Sequence, residues 1–101
     1  MIKHIVMWKL LEQAEGNSKA ENAQLAKTKL EALNGKVPGL LKLEVGIDFS
    51  CSDTSMDLIL YSEFEDRAAL ERYQQHPEHV AVFPFMKAIR SERRVVDYET
   101  D

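Results

Sequence analysis

From Ile2 to Leu11 the side chains alternate with the period of a β-strand, and the alternation leaves neither side of that strand wholly polar. Ile2, His4, Val6, Trp8 and Leu10 share one face, while Ile5 and Met7 fall on the other. The pattern returns twice. Leu40 to Phe49 sets Leu41, Leu43, Val45, Ile47 and Phe49 on one side; Met56 to Phe64 sets Met56, Leu58, Leu60 and Phe64 on one side with Ile59 and Tyr61 opposite. Strands of this kind belong to a sheet whose larger apolar face packs against helices. The second stripe, Ile5, Met7, Ile59 and Tyr61 with Val95 or Val96, needs cover of its own. A second copy of the chain supplies it economically, because two such sheets related by a two-fold axis close face to face into a barrel. A homodimer through the open sheet face is therefore expected.

The punctuation between the strands completes the order. Ser18 to Asn34 reads as a helix opened by the capping box Ser18-x-x-Glu21 and closed by Gly35. Val37-Pro38-Gly39 is a turn, and the polar segment Ser50 to Ser55 joins the second and third strands as a hairpin. Asp66 is an N-cap for a helix from Arg67 to about Gln75, Pro77 opens a second short helix, Pro84 marks a further break, and Arg94 to Tyr98 forms the last strand. The order βαββα(α)β, with right-handed crossovers, predicts a ferredoxin-like α+β fold with a four-stranded antiparallel sheet. No linker or repeat divides the 101 residues, so one domain over 1–101 is expected.

Charge and cysteine usage narrow the function classes. Seventeen acidic residues against 13 basic give a net charge of −4, and no run of Lys or Arg makes a stripe, which argues against nucleic acid and anionic membrane as partners. A single cysteine, Cys51, forms no internal disulfide and fits a reducing compartment, so a cytoplasmic location is expected. The strand pattern starting at Ile2 leaves no room for a secretory signal, and no apolar run has the length of a membrane span.

Chemistry-bearing side chains concentrate between Leu70 and Met86, which hold two of the three histidines. Ala69, Leu70 and Tyr73 fall on one side of the first helix, placing Tyr73 at the edge of the buried face with a hydroxyl that needs a partner. His76, before Pro77, has the place of a cap. His79 lies four residues before Phe83, so its ring runs along an apolar face, with Phe83 expected as a core anchor. His4 shares the helix side of the sheet, and His4, Tyr73 and His79 are thus expected to converge between the layers. A partly buried imidazole is easily tuned to accept a proton near neutral pH, which makes His79 a candidate general base with Tyr73 orienting or protonating an enolate oxygen. The same residues also suit an ordinary core, where a buried tyrosine and histidine satisfy one another. No Gly-rich phosphate loop, Cys-x-x-Cys, His-Glu-x-x-His or Gly-x-Ser-x-Gly occurs, so no cofactor-binding motif is expected; His4, His76 and His79 lack a carboxylate at fixed spacing, and no metal site is expected.

The opening Ile2-Lys3-His4-Ile5-Val6-Met7-Trp8-Lys9-Leu10, the Val37-Pro38-Gly39 turn before Leu43-Glu44-Val45-Gly46, and the strand end Ser62-Glu63-Phe64-Glu65-Asp66 resemble the stress-responsive A/B barrel domain family, Dabb. So do the Tyr73-x-x-His76-Pro77-x-His79 motif and the closing Val95-Val96-Asp97-Tyr98. The resemblance covers nearly the whole chain and implies a dimeric α+β barrel. It extends distantly to olivetolic acid cyclase, a plant member that closes a linear polyketide by aldol condensation, and implies catalytic roles for the matching His79 and Tyr73, with His4 as the matching strand-one histidine. Two functions are carried forward: an enzyme without a cofactor, doing acid–base chemistry of a cyclase or lyase type on a small apolar carbonyl compound, and a non-catalytic dimer serving stress response or binding a small ligand. An open pocket between helices and sheet, of roughly 300 Å³ or more, separates them.

Overall fold

A computed structural model describes residues 1–101. β1 (Ile2–Leu10) is followed by a small hairpin, β2 (Gln13–Ala14) and β3 (Asn17–Ser18), then α1 (Lys19–Glu31), β4 (Leu40–Ile47) and β5 (Leu58–Phe64). The chain continues through α2 (Arg67–Gln75), α3 (Pro77–Val80) and α4 (Phe83–Ile89) into β6 (Arg90–Glu99). The main sheet runs β4-β5-β1-β6 with every neighbour antiparallel, which is the ferredoxin-like arrangement.

Local chemistry starts and stops the elements as their sequences require. The Ser18 hydroxyl accepts from the Glu21 amide while the Glu21 carboxylate accepts from the Ser18 amide, closing the capping box of α1. The Asp66 carboxylate accepts from the Ala69 amide at 2.8 Å and opens α2. His76 terminates α2 and caps α3, its Nδ1 accepting from the Glu78 amide at 3.1 Å. Pro84 occupies the first turn of α4, just after the break at Ala81 and Val82. One hairpin escaped the sequence reading: Glu15 and Gly16, both at positive φ, turn the chain between β2 and β3, and the buried Asn22 amide of α1 holds it by donating to the Ala14 carbonyl.

Register assigns the faces. Ile2, Val6, Trp8, Leu10, Leu58, Leu60 and Phe64 point into the helix layer and form the core with Leu43 and Val45. The expected inward set of β4 needs correction at its ends. A bulge between Leu40 and Lys42 adds a residue, so Leu40 packs against the core and Leu41 turns out. Phe49 lies past the end of β4 and is 96% exposed. β6 is longer than expected; pairing places Val96 opposite Ile5 on the open face and Val95 opposite Val6 on the helix side. Phe83 is not a core anchor. The break between α3 and α4 resets the helical phase, so Met86 and Ile89 are buried instead and Phe83 is 44% exposed.

Two contacts fix the helices on the sheet. Lys27 donates to the Val45 carbonyl at 2.6 Å and Glu31 accepts from the Val45 amide at 3.1 Å, so α1 side chains take the free backbone groups of the β4 edge. Gly39 has φ +84, and a Cβ there would lie 2.5 Å from the Ala69 Cβ, so α2 rests directly on the backbone of the turn before β4.

Candidate functional site

Four rings run in a row from the sheet to the helix surface. His4 projects inward from β1, and its Nδ1 meets the carboxylate of Asp97 directly opposite on β6. A carboxylate accepts, so Nδ1 carries a proton. Tyr73, one face of α2, stands 6.1 Å from His4 between ring centres, at 66°. His79 from α3 lies nearly stacked on the other side of Tyr73, at 4.1 Å and 31°, and Phe83 from α4 meets His79 edge-on at 4.7 Å. Phe64 supports the tyrosine from the sheet at 5.0 Å. The three residues expected to converge therefore do so, while His76 serves as the cap between two helices.

Burial sets their protonation. Tyr73 is 1% exposed, and burial pushes its phenol well above the usual range, with the positive charge of Arg93 opposing, so the hydroxyl keeps its proton. Burial lowers the His79 imidazole below its ordinary value; a bond to the Gln74 carbonyl opposes this, and the charges of His4, Arg93 and His76 add to it. That carbonyl can only accept, and it lies 3.4 Å from His79 Nδ1, so Nδ1 carries the proton and Nε2 is free to take one.

A cavity of about 300 Å³ opens beside the row, walled by Trp8 of β1, Leu30 of α1, and Val82, Phe83 and Met86 around α4. Phe83 belongs to both the row and the cavity. Arg93, paired with Trp8 across the β1–β6 ladder, lines the cavity and also acts electrostatically on Tyr73 and His79. His4 and Tyr73 fill the space between layers, and His79 meets the cavity only through Phe83; none of the three lines it directly. No cluster of three or more potential metal ligands occurs in the chain.

Asp97 and Arg93 were not singled out from the sequence. Asp97 lies 93 residues from His4, and only the β1–β6 register brings them together. Arg93 stood just outside the expected last strand, so its place opposite Trp8 had no signal.

The sequence model of the Stress responsive A/B Barrel Domain matches residues 2–100. A dimeric protein of unknown function and ferredoxin-like fold from Bacteroides fragilis is 33% identical, with 98% of this chain and 95% of that one covered at a TM-score of 0.86. Two more distant structures share the fold. The hydroxynitrile lyase of Passiflora edulis is 16% identical over 99% of this chain and 93% of its own, TM-score 0.79. A putative antibiotic biosynthesis monooxygenase from Nitrosomonas europaea is 15% identical over 99% and 98%, TM-score 0.75. No curated protein matches the chain. With the strand order, the apolar open sheet face and a match over nearly its whole length in agreement, the protein belongs to the Dabb family.

Proposed function

We propose that the protein is a homodimer closed through the open sheet faces, and that each protomer enolises a small, largely apolar carbonyl compound with His79 as general base. The observation that carries this reading is the His79 imidazole. It is neutral, half-buried and fixed in one tautomer by the Gln74 carbonyl, and it sits one ring from a cavity large enough for such a compound. In the step, Nε2 takes the proton α to the carbonyl, the C–H electron pair moves into the C–C bond, and the carbonyl oxygen becomes an enolate oxygen. The Arg93 charge at the cavity wall is the group suited to stabilise that oxygen, the un-ionised Tyr73 ring backs the imidazole at 4.1 Å, and His79 returns the proton. A cyclase- or lyase-type reaction then follows from what the enolate attacks or expels.

The stripe of Ile5, Met7, Ile59, Tyr61 and Val96 supports the dimer, as does the dimeric state of the Bacteroides fragilis relative. The near-complete burial of Tyr73 among three rings favours a second reading, in which the row is core and the dimer only binds its ligand. Exchange of solvent deuterium into the α-position of a panel of small aryl and alkyl ketones, followed by proton NMR, distinguishes them. Wild-type protein is expected to catalyse exchange and His79→Gln to lose it with the dimer intact. Absence of exchange across the panel leaves the binding reading.

A further inference from the structure

We propose that the cavity beside Phe83 is built for an amphipathic carboxylate, its apolar body against Trp8, Leu30 and Met86 and its anionic group held by Arg93 and Arg90. This names the substrate class of the site proposed above and rests on that reading for turnover, though not for binding.

Three cations, Lys87, Arg90 and Arg93, line one cavity of about 300 Å³ in a chain whose net charge is −4. Their neighbouring acids are engaged elsewhere: Glu92 pairs with Arg94 at 3.2 Å, Glu99 pairs with Arg67 at 3.2 Å, and Asp97 is held by His4. None of the three cations has a carboxylate partner of its own within the chain, whereas the walls that they flank are apolar. A separate observation points to a polar ligand atom. The indole Nε1 of Trp8 is buried with no hydrogen-bond partner, an unmet donor of a kind that native interiors rarely leave. An anion placed between a β6 guanidinium and the indole meets both needs, and the planar fork of arginine suits a carboxylate better than a point charge does. The helices pack mainly over β4, β5 and β1, so the guanidinium groups of β6 border the cavity where helix cover is thinnest.

Trp8 is the chain's single tryptophan and reports directly on the wall. The test titrates the dimer at pH 7 with 4-butylbenzoate and with its neutral isostere 4-butylbenzamide, reading Trp8 fluorescence and, independently, calorimetric heat. The carboxylate is expected to bind at least about tenfold more tightly than the amide, the value of one charged hydrogen bond. Arg93→Gln is expected to erase that preference without weakening the amide. Arg90→Gln, which removes the other guanidinium, and a falling preference with added salt in the wild type provide the same reading should Arg93→Gln fold poorly. Equal affinity for the two ligands, or no binding of either, overturns the proposal. His79→Gln separates it from the catalytic reading: binding of the carboxylate is expected to stay within about twofold while α-proton exchange is lost. Carboxylate-selective binding by a wild type that exchanges no protons leaves this site standing and removes the enzyme.

Discussion

The two faces of the sheet are built from one alternation and end in different states. On the helix side Val6, Leu58 and Leu60 are each 2% exposed and Phe64 is fully buried, whereas on the open side Ile59 is 38% and Val96 is 50% exposed. Alternation decides which side chains share a face; it does not decide which face meets water. Cover does that, and it is uneven even on the helix side. Val95 faces the helix layer beside Val6 yet is 48% exposed, because the helices pack mainly over β4, β5 and β1. The inner face is a finished core over three strands and a cavity beside the fourth, while the outer face has no cover within the chain.

The sharpest way to break this comparison is a charge on the outer face. Wild-type protein is expected to sediment at twice the 11.6 kDa chain mass, and Ile59→Lys is expected to give monomers or insoluble protein, since a lysine buried in the seam has no partner. A folded Ile59→Lys dimer at micromolar concentration shows that the outer face is not the interface. On the inner face, Phe64→Ala is expected to cost about 3–5 kcal/mol in urea unfolding, with a cavity left under Tyr73.

A smaller effect comes from the depressed His79 imidazole. Its folded value lies below its unfolded value of 6.5, so the unfolded chain binds the proton more readily. The contribution to stability is complete above 6.5 and is lost as pH falls from there through the folded value. The urea midpoint is therefore expected to fall across that window in the wild type and to fall less steeply in His79→Gln. Parallel curves for the two proteins place the titration elsewhere. Smallest of all, Phe83→Ala is expected to cost less than about 1 kcal/mol, because the ring is only partly covered. A loss comparable to that of Phe64→Ala means that the cavity is closed in solution.

Much of the inner face was legible from sequence because a period of two with large residues at Ile2, Val6, Trp8 and Leu10 admits one strand register. The caps at Ser18 and Asp66 were legible because hydroxyl and carboxylate groups at helix starts have a direct physical job. What was not legible depended on partners far along the chain or on a single inserted residue. The bulge at Leu41 shifts parity without any marker residue, and Phe83 kept the spacing of a core position while the break at Ala81 and Val82 turned it outward. The gathering of His4, Tyr73 and His79 followed from the faces assigned to strand and helix. Asp97, which accepts from the His4 ring, and Arg93, whose charge acts on both Tyr73 and His79, came only with the β1–β6 ladder.

Gly39 brings a mechanical consequence. Ala69 rests on it, and Tyr73 is one helical turn further along a rod of nine residues, about 13 Å long. The turn is thus a fulcrum and α2 a lever: an added methyl group at position 39 lifts the near end and swings the phenol at the other. The placement of the most buried ring in the row is governed by a residue that has no side chain and touches none of the chemistry.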